Sequence, residues 1–247
     1  MTTAAQVISW LAQQPVAAYL VGGCVRDRLL GRPLYDLDVV TGADGLDLAR
    51  RLADDFRGAY HALDPERGTG RAILPDRHGH RLVVDLARFR EPEPLSLLSE
   101  AIDRPSRPAR ESLALDLAGR DFTINAMAAN VRAPEAVIDP HGGQSDLAAG
   151  LIRPVSDQSI RDDPVRALRA LRLAGELGFE LTSETEALIR RDGPGLGRVS
   201  AERVRDELAR ILALPHAAPC LTRLDDLHLL TVVFPEQIIR LFVNNNQ

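Results

Sequence analysis

At 247 residues, with 45% apolar and 26% charged positions, the chain has a globular composition and the length of one large or two ordinary domains. A net charge of −5 argues against a surface that grips nucleic acid everywhere while leaving local contacts open, and all 30 basic residues are arginine, a bias read first as the mark of a GC-rich genome. Cys24 and Cys220 do not make a disulfide framework and suit a reducing cytoplasm, and no leader pattern or apolar run of about 18 residues argues for secretion or membrane insertion.

Residues 4–13 carry a weak helical pattern. The apolar run 16–21 predicts a buried strand, Gly22-Gly23 a turn where the backbone must approach something closely, and residues 25–30 the opening of a helix. Free backbone N–H groups at such a helix start can hold phosphate, with Arg26 beside them as a bidentate oxyanion partner. Next comes Asp36-Leu37-Asp38-Val39-Val40. Strand residues two apart share a face, so Asp36 and Asp38 project together while Leu37 and Val39 face the core. Adjacent carboxylates repel unless a cation sits between them. Hard oxygen ligands suit Mg²⁺, which takes one or two carboxylates and completes its shell with substrate phosphates. Alone, the glycines read as an ordinary turn and the aspartates as a solvated strand end; in one short span with an arginine between them, they point to metal-dependent nucleotidyl transfer.

Residues 45–56 read as an amphipathic helix, with Leu46, Leu48, Ala49, Leu52 and Ala53 available to a core. Short strands are predicted at 60–63, 71–74 and 81–87, giving an α+β head in which a small mixed sheet is flanked by helices. Asp85 interrupts the last of these strands; it is either a third active-site acid or a strand-end aspartate facing water. The proline-rich, charged stretch 90–110 reads as a long mobile loop.

From residue 151 the patterns turn helical, at 162–177, 183–191, 200–212 and 217–224. This sets a boundary near 150 between an α/β head (1–150) and an all-helical neck (151–247), with 244–247 as a frayed tail. On the helix from Asp162, Asp163, Arg166, Arg169 and Arg172 recur every three residues as one stripe, with Leu168, Leu171 and Ala174 opposite. An aspartate at its start complements the helix dipole, and Pro164 is tolerated in a first turn. As a bare pattern this is a solvated arginine face.

Four ordered strings give the chain a resemblance that none would carry alone. GGCVRDRLLGRPLYDLDVVT (22–41), GRDFTINAMA (119–128), VIDPHGGQSDL (137–147) and DDPVRALRALRLAGELGF (162–179), followed by ERVRDEL (202–208), resemble motifs of the class II tRNA nucleotidyltransferase and bacterial poly(A) polymerase family, a branch of the DNA polymerase β-like superfamily. The resemblance implies a nucleotidyltransferase head and a helical neck. It implies that Asp36 and Asp38 hold Mg²⁺ for two-metal phosphoryl transfer, with Asp85 placed to help deprotonate the attacking hydroxyl. Gly22, Gly23 and Arg26 would cradle phosphates, and Arg120 and Asp121 would contact the nucleotide's phosphates and ribose hydroxyls. Asn125 would tie down local backbone. Asp163 and Arg166 would pair with the edge of an incoming C or A without a nucleic-acid template, while Arg169 and Arg172 would hold the triphosphate or neighbouring side chains. Two departures are visible: Gly119 stands where the family usually has an arginine, and Asp162-Asp163 where it usually has Glu-Asp.

The expected substrates are CTP, ATP and the tRNA 3′ end. A poly(A) polymerase of the same family, or a nucleotide-binding module without catalysis, are the alternatives; RDFTINAMA favours the tRNA enzyme and the intact aspartates favour catalysis. Family members continue into regions that grip the tRNA elbow, so a further C-terminal region or an additional subunit is expected to supply that grip. With an acidic balance, tRNA affinity is expected to be weak and to fall as salt rises.

Overall fold

The computed structural model describes residues 2–75, 81–89 and 109–234. It has the α+β character read from the sequence and divides into two compact units: Met1–Arg120 with Ile124–Gly143, and Asp121–Thr123 with Gln144–Gln247. Residues 121–123 are held within the second unit by backbone: Thr123 N donates to Arg153 O at 2.9 Å, Val155 N to Asp121 O at 3.1 Å, and Phe122 bridges Pro154.

The first unit is built on a seven-stranded sheet. In chain order its elements are α1 (Ala4–Gln13), β1 (Ala18–Val21), α2 (Gly23–Leu29), β2 (Asp36–Thr41), α3 (Gly45–Asp55), β3 (Ala59–Asp64), β4 (Thr69–Pro75), β5 (Arg81–Arg88), α4 (Ala109–Ala118), β6 (Ala128–Asn130) and β7 (Ala133–Ile138). The strand order is β3-β4-β5-β2-β1-β6-β7. Every neighbouring pair is antiparallel except β2 with β5, which run parallel. The helix predicted at the start forms because Thr3 closes a capping box with Gln6, compensating for a weak apolar pattern. On one side of the sheet α3 lays Leu48, Ala49, Leu52 and Ala53 against β3, β4 and β5. On the other, Tyr19, Val21, Val40, Phe89 and Ala128 form a core with Leu113 and Leu117 of α4.

Strands β6 and β7 were not anticipated, because AAN and APEAVI lack the β-branched alternation that marks a strand; pairing with β1 creates them. The predicted loop 90–110 lies outside the described residues except for Ala109 and Arg110, which already belong to α4. The expected frayed tail, 244–247, also lies outside them.

The second unit holds α5 (Gly143–Ala149), β8 (Leu151–Ile152), α6 (Ser159–Asp162), α7 (Arg166–Leu177), β9 (Glu180–Leu181), α8 (Ser183–Asp192), a 3₁₀ turn (Gly193–Arg198), α9 (Ala201–Leu212), α10 (Ala217–Asp226) and α11 (Leu230–Val233). It is helical apart from the two-residue parallel pair β8–β9. The continuous helix expected over 162–177 is broken. Asp163 takes extended angles, φ −148° and ψ 92°, because the ring of Pro164 disfavours helical geometry in the residue before it, and α7 begins only at Arg166. Gly175 lets α10 approach α7: a β-carbon there would lie 2.5 Å from Cys220 Sγ. Both cysteines are free and buried, as packing residues should be. Burial pushes the Cys24 thiol up to about 12, with the Asp38 carboxylate adding to the effect. Among the described residues no helix is long and apolar enough to cross a membrane.

Gly45 opens α3 where a β-carbon would overlap the carbonyl oxygens of Leu86 and Gly68. Gly45→Ala is expected to destabilise the protein by about 2–3 kcal/mol, whereas Gly197→Ala, which meets only open space, should leave it near wild type. Chemical denaturation of the two variants checks this.

Candidate active site

Alternation along β2 presents Asp36 and Asp38 on one face, both exposed, while Leu37 and Val39 are buried on the other. The parallel register sets Asp38 opposite Asp85 on β5, and the antiparallel register sets Asp85 opposite Arg71 on β4. Three carboxylates therefore project from one side of the sheet. Asp85 is not a water-facing strand end: Arg71 Nε and Nη2 donate to its two oxygens at 2.7 and 2.8 Å. Its proposed service as a third acid must begin from this bidentate pair.

Although Asp38 keeps exposed surface, protein atoms crowd its carboxylate. That desolvation is the main reason its pKa is raised above the ordinary aspartate value; Arg120 opposes the shift, Asp85 and Asp36 add to it, and Arg71 opposes it. Among the described residues no three His, Cys, Asp or Glu side chains already form a metal cage. The arrangement is two neighbouring carboxylates with a third tethered beside them, the kind of donor set Mg²⁺ completes with phosphate and water.

Strand β1 ends at Val21, and Gly22 turns the chain with φ +75°, ψ −140°. A β-carbon at Gly22 would lie 2.6 Å from Arg120 Nη1 and 3.5 Å from Asp38 Oδ2, so only glycine leaves this approach open. Gly23 begins α2, and its absent side chain faces the Arg26 guanidinium at 3.5 Å. Arg26 departs from the sequence reading. It is buried, donating through Nε and Nη2 to Asp27 at 2.9 and 3.0 Å and through Nη1 to Asn125 Oδ1 at 2.9 Å, so its fork is spent on the chain itself. Asn125 thus accepts from a side chain of α2. Arg120 is oriented by buried Asp116, one turn earlier on α4, at 2.9 and 3.1 Å.

The second unit gathers its own set. Asp163 accepts from Arg203 Nη2 at 2.7 Å, with Arg166 Nε 3.9 Å away, and Arg166 Nη1 donates to Ser159 O at 3.2 Å. Asp121 is buried; its Oδ1 accepts from Phe122 N at 2.7 Å and its Oδ2 from Arg169 Nη1 at 3.2 Å. Buried Glu207 on α9 then spans the arginine stripe, accepting from Arg169 at 3.2 Å and from Arg172 at 2.6 Å, while Arg172 also reaches Glu176 at 2.8 Å. The stripe is thus neither a solvated face nor a row of free forks.

Arg71, Asp116, Arg203 and Glu207 were missed. Two had a local signal: Asp116 stands at the i,i+4 spacing from Arg120, and Arg71 falls on the polar face of a strand whose Gly70, Ala72 and Leu74 are buried. Glu207 and Arg203 had no nearby charge partner, since theirs lie 35 to 40 residues earlier, and their signal was their place in the ERVRDEL string.

Residues 18–153 match the model of the poly A polymerase head domain, and residues 178–239 that of a region described as "Probable RNA and SrmB- binding site of polymerase A". The chain belongs to the poly A polymerase head-domain family. It is 42% identical over 202 residues to the CC-adding tRNA nucleotidyltransferase of Geobacter sulfurreducens, an alignment covering 82% of this chain and 42% of that protein. Against the A-adding tRNA nucleotidyltransferase of Deinococcus radiodurans it is 36% identical over 227 residues, 90% of this chain and 46% of that one. A solved structure of a CCA-adding enzyme with CTP superposes with a TM-score of 0.77 at 30% identity, covering 93% of this chain and 53% of the other. The chain spans about half the length of the curated relatives it matches. A family member's polymerase β-like head explains the sheet, and a helical neck explains the second unit.

Two positions probe these networks. With a folded-state pKa above its unfolded value, Asp38 binds its proton more tightly in the folded protein, so its contribution to stability is greatest in acid and is lost as pH rises through that interval. Asp38→Asn should therefore melt higher than wild type at neutral pH without metal, the gap closing in acid. Glu207→Ala takes one carboxylate partner from each of two arginines and should cost on the order of 3 kcal/mol, with Glu207→Gln costing less; urea unfolding of both measures it.

Proposed function

We propose that the protein is a tRNA nucleotidyltransferase that adds C, A or both to the tRNA 3′ end by Mg²⁺-dependent transfer from CTP or ATP, without a nucleic-acid template. The observation that carries this reading is the Asp36–Asp38 pair on one face of β2, beside bare Gly22 and Arg120, in a chain of this family. The donor set fits Mg²⁺: Asp36 and Asp38 would hold it, and a divalent cation relieves the mutual repulsion that helps to raise Asp38. When bound, the ion supplies the positive charge that acidifies an attacking 3′-hydroxyl and offsets charge on the triphosphate.

The chain's own residues have distinct parts. Gly22 leaves backbone open to phosphate oxygens, Gly23 offers a helix start, and Arg120, oriented by Asp116 through Nε and Nη2, carries its positive charge beside Gly22. Arg26 braces this turn through Asp27 and Asn125. Asp85, engaged on both oxygens by Arg71, acts on Asp38 through its charge until that pair opens.

In the second unit Asp163 accepts from the exocyclic amino group that C and A share, and Arg166 donates to a ring nitrogen or carbonyl; U and G present the wrong order of donors and acceptors. Asp121 accepts from a ribose hydroxyl. Arg169 and Arg172, committed to Asp121, Glu207 and Glu176, orient these groups rather than grip a triphosphate.

The curated relatives described above carry the names of tRNA enzymes, which favours this reading over a poly(A) polymerase. The test supplies Mg²⁺ with labelled CTP or ATP to tRNAs ending before, within or one residue short of CCA, and to an acceptor minihelix at high concentration. Incorporation should fall to background in Asp36→Ala and Asp38→Ala, and the pattern across transcripts assigns CC, A or CCA addition. In Asp163→Ala or Arg166→Ala the preference for C or A over U should fall by on the order of 10- to 100-fold. Undiminished incorporation in the aspartate variants would overturn the reading, and nucleotide binding without incorporation would assign a binding module.

A further inference from the structure

A recess of the second unit lies against Pro164 and is lined by none of the side chains assigned above. It is lined by Arg161 at the end of α6, Arg191 and Asp192 at the end of α8, and Pro194, Gly195 and Arg198 of the 3₁₀ turn. Its walls meet closely because Gly195 has no side chain: a β-carbon there would lie 2.8 Å from Pro164 Cγ. Gly195 thus lets the turn that carries Arg198 pack against Pro164.

The charges are arranged around one carboxylate. Asp192, whose side chain is 9% exposed, accepts from Arg191 Nε and Nη2 at 3.0 and 2.6 Å, and Arg161 Nε lies 3.5 Å from its other oxygen. These arginines hold the Asp192 carboxyl below the usual aspartate range. Arg191 Nη2 also donates to Asp157 O at 2.6 Å, and Arg161 Nη1 to Gln158 at 3.1 Å. Arg198 is exposed and, among the described residues, meets no carboxylate or other acceptor. Asp192 orients two forks, Asp157 adds a second negative charge near Arg191, and three guanidinium groups remain partly open to solvent: a local positive balance in a chain whose net charge is −5.

We propose that this recess is a phosphodiester-binding site that holds the RNA backbone, with Arg198 and Arg161 as its phosphate contacts and Asp192 as the residue that positions Arg161. Planar forks fixed by a carboxylate suit phosphate oxygens, and a backbone contact positions RNA without reading its sequence. The inference rests on the proposed tRNA substrate and adds a contact distinct from the base-selecting and carboxylate sets.

Equilibrium binding of tRNA, measured by fluorescence anisotropy over a salt series, tests it. Arg161→Ala/Arg198→Ala should bind tRNA on the order of tenfold more weakly at low salt, and its plot of log K against log salt should be shallower by about one for each phosphate that the variant no longer neutralises. Arg198→Glu alone, at an exposed position where folding is not at stake, should weaken binding too. Both should bind CTP as wild type does. Arg210→Glu, an exposed change of equal charge on α9, serves as the control. Wild-type affinity and salt slope in the first two variants, or an equal loss in Arg210→Glu, would overturn the site while leaving the tRNA reading intact. A wild-type protein that binds no tRNA at low salt would overturn both.

Discussion

Parallel pairing of β2 with β5 puts Asp38 directly opposite Asp85, and the first unit's chemistry is arranged around that crowding of like charge. A row of carboxylates on a sheet face is unstable without cations. The chain supplies two: Arg71, clamped on Asp85 from the next strand, and Arg120, carried on from α4 and oriented by Asp116. They do not neutralise Asp38 fully, since desolvation and the remaining repulsion still raise it. The remaining repulsion is a cost to stability that the Asp38→Asn comparison isolates, and under the proposed function a divalent cation would relieve it.

A different solution operates in the second unit, where carboxylates are buried among arginines. Glu207 accepts from two successive turns of α7 and, through Arg169, reaches Asp121. Burying such a network is expensive unless every member is paired, and no buried side-chain nitrogen or oxygen among the described residues lacks a partner. Rigidity follows: Asp121 and α7 are set by packing from α9 rather than by local helix propensity. The break at Asp163-Pro164 belongs to the same design, because an extended Asp163 leaves the helical ladder and turns its carboxylate toward Arg203 and Arg166.

Membership of the poly A polymerase head-domain family accounts for the order of the motifs along the chain, yet relatives named for CC addition and for A addition match at comparable identity. The units described here contain carboxylates, glycine turn and arginine stripe, whatever the specificity of the whole protein.

Local physics made much of this legible in advance. Two-residue alternation fixed Asp36 and Asp38 on one face, the Gly22-Gly23 pair marked a turn, and the 3.6-residue period located α3, α8, α9 and α10 close to their observed ends. Strands β6 and β7 stayed hidden because their sequence carries no period and their pairing with β1 is non-local. Likewise the use of each arginine was undetermined: Arg26, read as a phosphate fork, is consumed by Asp27 and Asn125, while Arg71 and Glu207 gained their roles from partners on other elements. Sequence alone determined which side chains share a face, since backbone geometry sets that over a few residues. Tertiary structure alone decided which charges meet, because ion pairing depends on register and packing between segments that the chain's linear order does not encode.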